Sequence, residues 1–260
     1  MKLYRVSALL LKYYYITKNR LDRIFDLFYW PLIDLFVWGF ATYFVRQISE
    51  VNVLSMFLGG VILWLFVWRS TQDIAVYVLE EFWSRDLYNL YTTPIRPSEH
   101  MVAVVLFGLI RALVSFVVLF VLALLIYSFN IFQFGVYLPL FAAALILVGW
   151  VMGLFVTSLI FRFGHRIQVF AWSIVWGVQP FSCVFYPLSS LPGWAQKIAV
   201  ILPTTHIFES MRAIIHGNAI SWGSVLYSFL ITLVLLVLVA SLLAKSIKHA
   251  RKTGLLSTYE

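Results

Sequence analysis

The sequence predicts an all-α integral membrane protein, a single domain (1–260) of six transmembrane helices, and three observations predict it. First, 62% of its 260 residues are hydrophobic and 12% are charged, with a mean hydropathy of +0.92, far from the balance of a soluble domain. Second, the apolar residues come in runs of about 20, the length of helix that crosses a hydrocarbon core. Third, Lys and Arg are shared unevenly between the two sides that six spans would create. One side collects fourteen of the nineteen, and the other only Arg46, Lys197 and Arg212. By the positive-inside rule, both termini and the linker between spans two and three then face the cytoplasm. The net charge of +8 is therefore a topology signal rather than a nucleic-acid footprint. The lone Cys183 excludes an intramolecular disulfide and a cysteine-based metal cluster.

Taken in order, residues 1–23 form a basic amphipathic stretch. Leu3, Val6, Leu10, Tyr13 and Tyr14 can share one face, while Lys2, Arg5, Lys12, Lys18, Arg20 and Arg23 carry the charge. No cleavage site follows, so the reading is an interfacial helix on an anionic leaflet rather than a signal peptide. The spans are expected at 24–45, 51–79, 101–127, 137–161, 167–187 and 222–244. Gly149-x-x-x-Gly153 in span four is spaced for close helix approach. Pro192 and Pro203 break the segment 188–217 into two apolar pieces too short to cross. They read as re-entrant or interfacial helices, provided protein or a water-filled cavity satisfies the turn between them.

The linker 80–98 is the most informative stretch. Leu79, Phe82, Trp83, Leu87, Leu90 and Tyr91 recur at three- and four-residue steps, which predicts an amphipathic helix, with Glu80, Glu81, Arg85 and Asp86 largely on its other face. Thr93-Pro94 should end it, and Pro97-Ser98-Glu99 should cap the next helix at Ser98. It is either an interfacial linker resting on headgroups or a docking element for another protein.

Charges within spans are costly and need a reason. Arg69 and Asp73, four apart, fit a local pair or snorkelling. Asp34 and Arg111 each lie ten residues into their spans, ~15 Å from the cytoplasmic side, and are expected to meet as a buried interhelical pair. A role in a substrate path is the alternative. Glu209 and Arg212, three apart, can pair on one helical face, in the plain case as a weak surface pair. A Walker-type nucleotide loop, a His-Glu-x-x-His zinc helix and a Gly-x-Ser-x-Gly elbow are all missing from the sequence, which speaks against an ATPase or hydrolase.

With these residues in place, the chain resembles the membrane subunit of a type-2 ABC exporter, the permease family of drug, nodulation-factor and polysaccharide export. Two patterns carry the resemblance. One is Glu80-Glu81…Trp83…Arg85-Asp86-Leu87…Thr93-Pro94-Ile95, similar to the family's coupling segment. The other is Leu191-Pro192-x-Trp194-x-Gln196 through Leu202-Pro203 to Glu209-x-x-Arg212 and Gly217, similar to its outward pair of short helices. The resemblance implies no catalytic residue and no cofactor in this chain, with ATP and Mg held by a separate ATPase subunit. That subunit would press on Glu80, Glu81, Trp83, Arg85, Asp86, Thr93 and Pro94. It also implies a second permease chain, as a homodimer, in a prokaryotic inner membrane, with no nucleic-acid partner. Pro192, Trp194, Pro203, Glu209 and Arg212 would form the extracytoplasmic gate. The cargo would be an amphipathic drug, a lipid or a lipid-linked glycan. From another class, an ATPase-independent secondary transporter or channel would have to work through Asp34 and Arg111.

Overall fold

A computed structural model describes residues 1–46 and 53–253, and among them every regular element is helical. The chain runs through α1 (Leu3–Asn19), α2 (Leu21–Arg46), α3 (Val53–Trp83), α4 (Asp86–Thr92) and α5 (Pro97–Tyr127). It continues through α6 (Tyr137–Phe163), α7 (Gln168–Val178), α8 (Gly193–Ile201), α9 (Pro203–Ile215) and α10 (Trp222–Thr253). Five of these, α2, α3, α5, α6 and α10, are long and apolar enough to cross a membrane. The pair α8 and α9, bent by 98°, is long and apolar enough only when the two are taken together.

The run expected as a fifth span, 167–187, is not one long α-helix: α7 has 11 residues, ~16 Å of rise, and follows directly on a 3-10 turn at Gly164–Ile167. A 3-10 turn at Gln179–Phe181 follows, where Pro180 has no N–H to continue the α-helical ladder. Cys183 then takes a positive φ of 53°, which no helix continues through. Other bounds move less. The second span's expected start at Val51 lies outside the described residues. Its helix runs on to Trp83 rather than Leu79, and α10 continues to Thr253 rather than Ala244, carrying the basic tail as helix.

The bundle is built around α3, which is buried along most of its length. It packs against α2, α5, α6 and α7. The α3–α6 seam is the tightest, and Gly149 and Gly153 make it so. A Cβ at Gly149 would sit 2.5 Å from the Ser70 Cβ, and one at Gly153 would sit 2.9 Å from the Ile74 Cβ. With lipid on the outside there is little hydrophobic drive between helices, so this close backbone approach supplies the attraction through dispersion. The Thr71 hydroxyl spans the seam, donating to the Val67 carbonyl at 2.8 Å and the Gly149 carbonyl at 3.2 Å.

The helix ends sort into two groups. The N-terminal arm, the C-terminal end of α3, α4, the start of α5 and the end of α10 gather at one end, which we term the basic end. The start of α3, the turn at Ile131–Phe134, the start of α10 and α9 gather at the other.

Candidate functional site

At the basic end the linker is woven into its neighbours. Residues Ser84 and Arg85 break the expected single helix into the end of α3 and the short α4, with Arg85 at a φ of 61°. Glu81 is buried and takes three partners. It accepts from Lys12 Nζ at 3.2 Å and the Tyr13 hydroxyl at 3.0 Å, and pairs with His100 Nε2 at 2.7 Å. His100 Nδ1 in turn meets the Tyr91 hydroxyl at 3.1 Å. One carboxylate thus ties α1, α3 and α5 together, and His100 passes the tie to α4. Burial, reinforced by the Glu81 charge, pushes the Tyr13 phenol well above its ordinary pKa, so it stays a donor.

Glu99 works beside it. It accepts from the Lys2 backbone N–H at 2.8 Å, the Arg96 backbone N–H at 3.0 Å and Arg5 Nη1 at 3.3 Å. The cap of α5 therefore comes from Glu99 reaching back to Arg96, with Pro97 as the first helical residue, and not from the expected Ser98. Glu80 contacts Arg23, and Asp86 meets Lys12 at 3.3 Å. The expectation that Glu81 and Asp86 face outward is corrected for Glu81, which is interior, and reduced for Asp86, which is half-buried. Trp83 is corrected in the opposite sense: expected on the packed face, it is 51% exposed at the last position of α3. Arg85, Tyr88, Thr93 and Pro94 share its exposure.

Above this hub a second cluster lies within the spans. Asp26 Oδ2 receives Arg69 Nη1 at 2.9 Å and Arg111 Nη2 at 3.0 Å. Asp73 Oδ1 forms an ion pair with Arg111, 3.1 Å from its Nε, and lies 3.8 Å from Arg69 Nη1. Arg111 Nη1 also donates to the Tyr77 hydroxyl at 3.0 Å, and the Arg23 guanidinium lies over the Tyr77 ring at 4.3 Å. Counted with Arg23 and Glu80, three arginines face three carboxylates, so the cluster is neutral as a whole. This is the arrangement in which buried charge is tolerable.

The expected Asp34–Arg111 pair is therefore corrected. Arg111 is satisfied by Asp26, Asp73 and Tyr77, and Asp34 forms no ion pair among the described residues. The reason is directional. Helical side chains lean toward the N-terminus, so the long Arg111 reaches down α5 toward the basic end, past the level of Asp34. The local Arg69–Asp73 pair is present but is the longest contact of the set. Sequence reasoning missed Asp26, Tyr77 and His100. The four-residue stripe Arg69, Asp73, Tyr77 on one face of α3 was the available signal for Tyr77.

The cluster forms one wall of a cavity of about 380 Å³ between α2 and α7, floored by α3. Trp30, Trp68, Trp172 and Trp176 line it together with Asp26, Arg69 and Asp73. A shallow notch lined by Asp34, Trp38, Gln179 and Phe185 continues the line toward the other end, where Trp38 stacks on Phe185 at 3.6 Å.

At that far end α8 and α9 meet at the Leu202-Pro203 bend. Its carbonyls are satisfied by protein: the Ser228 hydroxyl donates to the Pro203 carbonyl at 2.9 Å and the Tyr227 hydroxyl to Ile201 at 3.4 Å. Arg212 is buried, so its pair with Glu209 at 2.7 Å is no surface pair. Arg212 Nη1 also donates to the Cys183 carbonyl at 2.7 Å, and Glu209 accepts from the Leu188 N–H at 2.8 Å. Pro203 starts α9 and is buried, whereas Trp194 is exposed and meets Phe181 edge-on at 6.0 Å. Pro192 caps α8.

A comparison with curated proteins gives no match. A family model described as ABC-2 family transporter protein matches residues 41–241, from the last turns of α2 into α10. That match covers most of the chain, and with the helical bundle it places this multi-pass membrane protein in the ABC-2 transporter family, as a permease.

Proposed function

We propose that the chain is the membrane-spanning subunit of an ATP-binding cassette exporter, driven by an ATPase encoded as a separate chain that docks on the linker. The observation that carries this is the two-sided character of residues 80–98. Trp83, Arg85 and Tyr88 are exposed, while directly behind them Glu81, His100 and Tyr91 fasten the linker to α1, α3 and α5. A push on the exposed side is transmitted to the spans as a rigid displacement, because a buried charged network resists shear. Of the residues expected to couple, Trp83, Arg85, Thr93 and Pro94 are the contact surface, Asp86 sits at its edge, and Glu80 and Glu81 are the fastening behind it.

In this reading the basic end faces the cytoplasm of a prokaryotic cell membrane. Two copies of the chain bring their α2–α7 grooves together into one path for an amphipathic drug, lipid or lipid-linked glycan. The tryptophans offer flat faces for sugar rings or acyl chains, and the neutral arginine–carboxylate cluster offers hydrogen bonds without a net charge that would trap an ion. The segment containing Pro192, Trp194, Pro203, Glu209 and Arg212 closes the exit. Mg and ATP belong to the partner.

The test is co-purification from native membranes. Wild-type protein is expected to bring down a subunit with a Walker-type loop, and Trp83→Ala combined with Arg85→Glu to reduce its recovery about tenfold. Intact wild-type protein that recovers no nucleotide-binding partner would sink the proposal.

A further inference from the structure

A cavity of about 670 Å³ lies between α5 and α10, with α6 as its floor, apart from the charged groove and from the exposed Trp83 and Arg85. It exists because α5 docks chiefly on α3 and α1, whereas α10 docks on α6 and α9, which leaves a cleft between them. Its volume is that of a ligand pocket. Val102, Val105 and Leu106 form one wall, Leu243 stands on the other, and Trp150 and Leu154 form the floor. Ala240 and Ala244, small and four residues apart on α10, keep it open.

The polarity of the cleft changes along its length. Its deep part is apolar, and its mouth at the basic end carries Ser98, Lys248 and Arg251. Lys248 and Arg251 are both exposed, and neither has a carboxylate partner among the described residues. Arg251 is held at the mouth by the Tyr91 ring, 5.0 Å from its guanidinium. From Arg251 to Ala240 the wall runs eleven residues, ~16 Å of helix. That is close to half of the ~30 Å hydrocarbon core, the depth of a single leaflet.

An apolar slot one leaflet deep under a pair of unpaired cations has the chemistry of one class of molecule. We infer that the α5–α10 cleft is a site for a resident anionic phospholipid of the basic-end leaflet, its acyl chain against α6 and its phosphate on Lys248 and Arg251. This lipid is a fixed component of the bundle and not the transported solute. The inference does not depend on the identity of the cargo or of any ATPase.

Native mass spectrometry of the purified full chain, titrated with phosphatidylglycerol or phosphatidylcholine, tests it. Wild-type protein is expected to hold one phosphatidylglycerol in preference to phosphatidylcholine. Lys248→Ala with Arg251→Ala should lower that occupancy at least tenfold, since each basic residue contributes severalfold to anionic-lipid affinity. Lys245→Ala with Lys252→Ala, exposed cations outside the cleft, should leave it unchanged. Ala244→Trp, which fills the slot without altering charge, should abolish it, and this variant decides the matter if the double alanine variant does not purify as folded protein. Equal retention of phosphatidylcholine, equal loss with the Lys245/Lys252 pair, or full retention in Ala244→Trp would each overturn the site. So would cross-linking of a second protein chain to a photoreactive residue placed at Val105.

Discussion

Both ends of this bundle must hold interrupted helices together, and they do so with opposite chemistry. At the basic end the work falls to carboxylates: Glu80, Glu81, Asp86 and Glu99 each take a cationic partner from the N-terminal arm or the start of α2. At the far end it falls to hydroxyls donating to bare carbonyls: Ser228 to Pro203, Thr205 to Phe181, and Tyr227 to Ile201, with Arg212 as an ionic clamp beside them. The difference follows from what each place lacks. A helix broken by proline inside the membrane exposes carbonyls, and a hydroxyl satisfies a carbonyl without importing charge. A joint between separate helices instead gains from the stronger, directional hydrogen bonds of ions.

Substitutions can break this contrast in graded steps. Glu81→Ala should cost the most, about 3–5 kcal/mol, because it leaves the buried His100 ring and Tyr13 hydroxyl without their carboxylate while Lys12 keeps only Asp86. Thermal unfolding in mild detergent would register it, and a change below about 1 kcal/mol would show that the joint is not ionic in character. Arg212→Met should cost about 2 kcal/mol, the worth of its charged hydrogen bonds to Cys183 and Glu209. Ser228→Ala, which removes a single neutral bond to Pro203, is expected near 1 kcal/mol. Equal losses for Glu81→Ala and Ser228→Ala would erase the distinction between the two ends. Trp83→Ala sharpens it from the other side: stability should move by less than about 0.5 kcal/mol while partner recovery falls, since Trp83 is exposed. The smallest effect expected is the coupling between Asp34→Asn and Arg111→Gln. A double-mutant cycle on unfolding should return less than about 0.5 kcal/mol, as the two share no contact.

Much of the fold was legible because hydropathy and proline are local signals. The five long spans, the amphipathic N-terminal helix, the Gly149/Gly153 seam and the bend at Pro203 all follow from residue type and spacing. The interior of the fifth run was not legible, because 167–187 is apolar along its whole length and composition does not register that the α-helix gives way after Val178 to a 3-10 turn at Pro180. The site was legible as a location but not as a set of roles. Spacing put the linker between two spans and marked Glu81 as polar, hence outward. The hydrogen-bonding group that draws it inward is His100, nineteen residues later, and no local pattern links them. Asp34 and Arg111 misled for a related reason: depth counted from span starts ignores where each helix truly begins and which way its side chains lean.

The seating of the N-terminal arm sets an order of events during synthesis. The Lys2 backbone and the Arg5 side chain meet Glu99, and Lys12 and Tyr13 meet Glu81, so Lys2 and Lys12 rest on partners that emerge 97 and 69 positions later. At roughly 5–20 residues per second, Lys2 waits on the order of 5–20 s for Glu99 to leave the ribosome. Through that interval α1 has only the membrane surface to lie on, which is why a segment destined for the interior of a joint is still written as an amphipathic helix with a basic face. The arm is made before its partners and locked only after them, so its docking reports that α3, α4 and α5 have already come together.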